Sequence, residues 1–286
     1  MRRRLSVLSI FVYLLCCLPL YICAAPKVIV TEKDKLILQE KLERFSTKVN
    51  LSTGALMLAI GVDFEGTPYV AQTLDLNIDE NLVVNLRELD CTTFVENCLA
   101  IARTVKSLKP SYDTFIAELE KIRYRNGHLN GYVSRLHYFS EWIADNEKRG
   151  IVTDVTSRLG GLKFPLLLTF MSTHPDSYPQ LKNSPTLINK MKLIEKEVSN
   201  HHFYAIPKEQ VPDHESEMVD GDIIALTTKI AGLDVTHLGL VCKIQGEIFL
   251  LNGSSRGGKV ETTPVPLRDY LMKSKITTGI FVVRAN

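Results

Sequence analysis

Apolar residues recur along this chain at two different periods, and the change from one to the other divides it. In the first half they fall three and four positions apart, the repeat of an amphipathic helix. Thr31 and Asp34 make a capping pair ahead of Leu36, Ile37, Leu42 and Phe45, which share one face. Gly66-Thr67-Pro68-Tyr69 marks a turn. A helix then opens at Cys91 behind Asp90, a good N-cap residue, with Phe94, Val95, Cys98, Leu99 and Ile101 at helical spacing up to Lys106. Leu108-Lys109-Pro110-Ser111 breaks it. Further helices are predicted over Tyr112–Tyr124 and Ser134–Lys148, with the polar loop Arg125–Gly131 between them. From Gly160 to Pro212 four prolines (Pro165, Pro175, Pro179, Pro185) interrupt the pattern. One helix, Thr186–Val198, reads through, and Val211-Pro212-Asp213-His214 reads as an exposed connection.

Past Gly221-Asp222 the period shortens to that of strands. Ile223–Leu226, Val235–Lys243, Ile248–Leu251 and Ile280–Val283 are predicted strands, with turns at Gln245-Gly246 and Gly257-Gly258 and a short helix over Leu267–Met272. Helices first and strands last is an α+β arrangement rather than a doubly wound one.

The opening residues belong to neither pattern. Arg2-Arg3-Arg4 precedes an apolar run from Leu5 to Ala25. A basic start, an apolar middle and small residues at the end read as a secretory signal over residues 1–24. An uncleaved anchor is the alternative, since the run is long enough to span a bilayer. The remaining residues, 25–286, fit one large domain with helical N-terminal elaborations and no stable membrane insertion after signal cleavage. Removing the signal takes three arginines from the 34 basic residues and leaves 31 against 32 acids. A nearly neutral chain with no basic patch gives no reason to expect nucleic acid.

Cysteine usage sharpens the picture. Of six cysteines, Cys16, Cys17 and Cys23 lie in the signal, and Cys91, Cys98 and Cys242 remain. A small odd number in an exported chain is not a disulfide framework, and one thiol left over flags reactivity. Cys98, two turns below Cys91, and Cys242, in an apolar strand, read as buried small hydrophobes. Cys91 stands in a first helical turn, where the dipole and free N–H groups favour thiolate. Thr236-His237-Leu238-Gly239 opens one strand, and Leu251-Asn252-Gly253-Ser254-Ser255 closes the next. Antiparallel pairing would set His237 beside Asn252, and a helix packed on that sheet could bring Cys91 to His237. Those are the parts of nucleophilic catalysis: a thiol, an imidazole that takes and returns its proton, and a polar group that orients the imidazole. The backbone N–H of Cys91 could serve an oxyanion.

In that order of parts the sequence resembles the NlpC/P60-type papain-like cysteine peptidases. Within them it is similar to the DUF1460 group of N-acetylmuramoyl-L-alanine amidase-like proteins. The resemblance rests on Gly66–Ala71, Leu89–Glu96, Tyr124–Gly127, Tyr132–Tyr138 and Thr236–Gly239, and its ordered pieces span the mature chain. It implies a papain-like core, in which the nucleophile-bearing helix packs on an antiparallel sheet with additional helices around it. It implies Cys91 as nucleophile, His237 as base, and peptidoglycan fragments or muropeptides as substrate. Asn252 stands where a third polar residue, often histidine in this group, is expected; its amide oxygen can still accept the imidazole N–H.

Other residues carry two readings. Asp90 is a helix cap rather than a catalytic acid, expected to turn from the sulfur toward the N–H groups of Thr92 and Thr93. Tyr132, Arg135 and His137 are either a solvated loop and helix start or a wall of the substrate cleft, where arginine would grip a carboxylate. No cofactor is expected. A metal site is disfavoured, because His201-His202 are adjacent and neither HExxH nor CxxC spacing occurs. Cleavage inside the stem peptide, at the D-glutamyl–diamino acid bond, and a non-catalytic wall-binding module are the competing functions.

Overall fold

The computed structural model describes residues 27–286. The expected signal and its three cysteines lie outside the described residues. Strand β1 (Val28–Ile29) leads into helix α1 (Glu32–Phe45), whose start is the predicted capping box of Thr31 and Asp34. The buried face of α1 differs from the expected one: Leu38 and Phe45 are buried, but Leu36 points to solvent. Asp34 is fully buried and accepts from Leu86 N at 2.9 Å and from Arg87 Nε at 3.1 Å. The capping carboxylate therefore also ties α1 to the segment that leads into Cys91.

Helix α2 (Thr53–Asp63) has no counterpart in the sequence reading. Its sequence is apolar nearly all round, so no polar stripe shows the period. It is enclosed by Phe94, Leu240 and Leu251 around Gly61. After β2 (Leu82–Val83), which pairs with β1, come α3 (Cys91–Val105) and α4 (Tyr112–Arg123), close to expectation. Helix α5 (Phe139–Lys148) starts five residues later than the predicted Ser134. Arg135 is extended there and bridges Tyr124, with Leu136 N bonded to Arg123 O at 2.9 Å. Ion pairs from Arg135 to Asp75 and Glu80 hold that conformation, which local helical pattern does not report.

The middle of the chain holds β3 (Val152–Asp154), β4 (Leu162–Phe164), α6 (Phe170–Thr173), α7 (Pro185–Ser199), β5 (Phe203–Pro207) and α8 (Val211–His214). Val211–His214 is thus a helical turn with Val211 buried, not an exposed connection. The last part supplies β6 (Ile223–Thr228), β7 (Val235–Ile244), β8 (Glu247–Ser254), β9 (Lys259–Thr262), α9 (Leu267–Lys273) and β10 (Thr277–Ala285).

The strands run in the order β4-β5-β10-β6-β7-β8-β9, every neighbour antiparallel, with β3 added beside β10. Both faces of this sheet are covered. Ile223, Ala225, Leu238, Leu240, Leu251 and Phe281 pack under the helical layer of α2 and α3. The alternate residues Ile224, Leu226, Val241, Leu250, Ile280 and Val282 pack with Val211, Met218, Leu267 and Leu271. Strands buried on both sides read as continuous apolar runs rather than alternating ones. Gly221 turns the chain into β6 at φ +80°, where a Cβ would stand 1.8 Å from Gly54 O of α2. Only glycine allows that approach. The result is an α+β fold with an antiparallel sheet and several helices, as expected from the pattern. Among the described residues no helix is long and apolar enough to cross a membrane.

Candidate active site

The start of α3 is set by Asp90. Its Oδ1 accepts from Thr93 N at 2.7 Å, and Thr93 Oγ1 accepts from Asp90 N at 2.9 Å. The carboxylate is engaged inside the helix start, on Thr93 as expected. Cys91 and Thr92 follow as the first two helical residues, and their N–H groups have no acceptor within the helix.

The sheet comes up against this first turn. Gly253 of β8 lies so close that a Cβ there would be 2.9 Å from the Asp90 carbonyl carbon and 3.2 Å from Cys91 N. From β7, the Leu238 backbone hydrogen-bonds the Cys91 sulfur, and the Thr92 side chain adds another hydrogen bond. The residues flanking those contacts are His237 and Asn252. Gly253→Ala should therefore displace the helix start. We expect kcat to fall about 100-fold, with a stability loss of about 1–3 kcal/mol, read by kinetics and thermal unfolding.

His237 Nε2 lies 2.8 Å from Asn252 Oδ1. The two are diagonal rather than directly opposite: β7 and β8 pair Leu240 with Leu251, so one residue further Gly239 faces Asn252. Asn252 is buried, and its Nδ2 donates to Leu250 O and Glu261 O, both at 3.1 Å. Two carbonyls on that side require the amide nitrogen there, which turns Oδ1 toward the imidazole. Oδ1 only accepts, so His237 carries its proton on Nε2 and keeps a lone pair on Nδ1.

Both chemical groups rest neutral. Burial, with the Asp90 charge adding to it, pushes the Cys91 thiol up to about 11. Hydrogen bonds from the Leu238 backbone, Thr92 and its own backbone pull the other way without reversing it. The dipole-favoured thiolate is therefore not the resting state: dehydration and an adjacent carboxylate outweigh the helix terminus. Burial holds His237 below its usual range; Arg256 acts in the same direction, and the Asn252 hydrogen bond and Asp90 act against it. Cys98 is buried in the core, as read, whereas Cys242 on β7 is only partly buried rather than fully so.

Tyr69, Tyr270 and Arg256 also act on this centre; Tyr69 lies in one of the stretches that carry the resemblance, while Tyr270 and Arg256 carried no local signal in the sequence. Burial, then the Cys91 and Asp90 charges, raise Tyr69 to about 12. Burial likewise raises Tyr270, which also senses Cys91. Two hollows lie near these residues, one on the His237 side of β7 and β8 and one at the first turn of α3. One, of about 240 Å³, contains His237, Ser254, Arg256, Tyr270 and Lys273. The other, of about 150 Å³, contains Asp90, Thr92, Tyr132, Arg135, His137 and Tyr178.

The second hollow holds the block considered for substrate binding. Tyr132 and Arg135 are buried, and the His137 ring lies 4.4 Å from that of Tyr132. Arg135 pairs with Asp75 and, at 3.5 Å, with Glu80. It is not the free cation that direct carboxylate binding needs. Burial and the neighbouring Arg135 hold His137 neutral, well below its usual range. Among the described residues no group of three His, Cys, Asp or Glu side chains is placed to hold a metal ion.

Fold and site define an α+β protein in which a helix-borne cysteine abuts the backbone of the two strands that carry a histidine–asparagine pair. Comparison with known proteins narrows this. The family model described as AmiA-like, N-acetylmuramoyl-L-alanine amidase-like, matches residues 59–280. The chain belongs to that family. A crystal structure of an N-acetylmuramoyl-L-alanine amidase from Bacteroides uniformis is similar at 41% identity and a TM-score of 0.79, over 82% of this chain and 99% of that one. A Bacteroides fragilis protein, described as a candidate xylanase, is similar at 42% identity and a TM-score of 0.76, over 79% and 99%. The Legionella pneumophila protein LPG0564, of family DUF1460, shares the fold at 22% identity and a TM-score of 0.67, over 89% and 95%. Among the curated proteins no relative matches.

Proposed function

We propose that this chain is an exported, cysteine-dependent cell-wall hydrolase with a papain-like core of the NlpC/P60 type. Its reaction is hydrolysis of the amide between N-acetylmuramic acid and L-alanine in peptidoglycan or muropeptides. The observation that carries the reading is the joint seating of Cys91 against Leu238 and Gly253, with His237 anchored through Nε2 by Asn252. Family membership supports the bond. The basic and apolar start of the sequence supports export to the periplasm or beyond.

Proton transfer accompanies attack, because thiol and imidazole are both neutral at rest. His237 Nδ1 takes the Cys91 proton as sulfur adds to the carbonyl. The unpaired N–H groups of the helix start face the developing oxyanion. The imidazolium then protonates the departing amine of L-alanine, leaving a thioester on Cys91. Water, deprotonated by His237, releases the muramic acid and restores the thiol. Asn252 keeps the imidazole in the competent tautomer throughout.

The pH dependence follows in sign. His237 must begin unprotonated and burial holds it below the usual imidazole range, so kcat/KM should be flat through neutrality and fall only in acid. Asn252→Ala removes an interaction that favours the protonated ring. Its acid limb should move to lower pH while kcat drops about 100-fold.

A glycosidase would need two carboxyl groups facing one bond. The carboxylates of the second hollow are already committed: Asp90 to Thr93, Glu96 to Arg123, Asp75 to Arg135. The first hollow has none among its lining residues. Mass spectrometry of defined disaccharide-peptides tests the bond. A free disaccharide with an intact stem peptide is expected. Shortened stems would make the protein an endopeptidase, and tight binding without turnover would make it a wall-binding module.

A further inference from the structure

The hollow on the His237 side has a chemistry of its own. Its lining includes Arg256, from the β8–β9 turn, and Lys273, at the end of α9. Around them stand the hydroxyls of Thr236, Ser254, Ser255 and Tyr270. No carboxylate lines it. Arg256 and Lys273 are exposed, and among the described residues neither takes part in an ion pair. The contrast with Arg123, Arg135, Arg149 and Arg284 is direct, since each of those is neutralised by a nearby acid. Arg256 also acts electrostatically on both His237 and Tyr270, which places its charge at the reacting centre.

Two unmatched cations among hydroxyls, beside the base, suit an anion held by charge-assisted hydrogen bonds. The proposed substrate has acidic groups on one side only. The muramic acid carboxyl is consumed in the scissile amide, and the sugar is otherwise neutral. Every remaining carboxylate belongs to the peptide. We propose that Arg256 and Lys273 form the subsite for the departing peptide and bind a carboxylate of its acidic second residue. They are specificity residues rather than catalytic ones. The inference rests on the amidase reading for its ligand, and it fixes the direction in which the substrate lies: peptide toward α9 and the β8–β9 turn, sugar toward the opposite hollow.

The test pairs two substrates with two variants. N-acetylmuramoyl-L-alanyl-D-glutamate is compared with its analogue in which both glutamyl carboxyls are amides, at one pH above the acid limb. That choice matters because removing the Arg256 guanidinium also relieves His237. The natural protein should prefer the acid by about 10- to 100-fold in kcat/KM. In Arg256→Gln and Lys273→Gln the acid should lose most of that advantage through KM, so that the ratio of acid to amide kcat/KM falls toward one whatever change the two substrates share. Equal losses on both substrates, or none on either, would overturn the proposal. Binding of the free dipeptide L-alanyl-D-glutamate to the natural protein, followed by calorimetry, separates the two levels. Salt-sensitive binding that weakens in both variants supports the subsite even if no muramoyl amide is cut. Absence of binding, or binding indifferent to both variants, counts against it.

Discussion

Cys91→Ala should abolish turnover of muramoyl peptides, by a factor of about 10⁴ or more, while leaving the fold intact. Alanine is smaller, apolar and a good helix former, and it replaces a partly buried thiol in the first turn of α3. Helical content and the unfolding midpoint should match the unaltered protein. Mass spectrometry of disaccharide-peptide digests reads the result. Retained activity in a pure preparation would remove the thioester route. Cys98→Ala is the contrasting control, because that thiol is fully buried in the core. It should cost stability and leave the rate per folded molecule unchanged.

The largest effect on stability should come from Arg123. Its Nε lies 2.7 Å from Glu96 Oε2, with 2% and 3% of the two side chains exposed, and its Nη1 donates to Val83 O at 2.7 Å. This one side chain ties α4 to α3 and to β2. Arg123→Leu leaves a buried carboxylate without its cation, a change that costs about 3–5 kcal/mol. For a domain of this size that lowers the unfolding midpoint by on the order of 10 °C. The sign with pH is defined. Burial already raises Glu96, with Arg123 opposing. Without the arginine its folded-state pKa rises further, so the deficit is greatest at neutral and higher pH and shrinks as acid protonates the carboxyl. Removing both charges together, as Glu96→Leu with Arg123→Leu, should restore much of the loss. Urea titrations at two pH values would check both statements, and a deficit that grows with acid would refute the assignment.

Local signals made some parts of this molecule legible. Asp90 before Cys91, the break at Pro110, and the apolar runs of β6, β7, β8 and β10 are short-range features. They set the α+β class and the placing of Cys91, His237 and Asn252 on the right elements. What sequence period could not show was long-range. Helix α2 hides because it is apolar all round. The start of α5 shifted because Arg135 answers to Asp75 and Glu80, 60 and 55 residues away. Strands β3, β4 and β5 are short pieces added at one side of the sheet, within a proline-punctuated stretch. The site's polarity was misjudged for a related reason. The helix dipole at Cys91 can be inferred from spacing, but the burial that opposes it comes as β7 and β8 close on it through Leu238 and Gly253, neither of them near it in sequence.

The neutral resting state of Cys91 bears on how the protein, exported as proposed, would endure outside a reducing compartment. With burial and the Asp90 charge pushing the thiol up to about 11, the sulfur anion is a minor form at neutral pH. Peroxide, disulfides and alkylating agents attack through that anion. A nucleophile that ionises only when a carbonyl is ready to receive it is shelved between turnovers, and the same dehydration that slows its ionisation keeps it from being spent on oxidants.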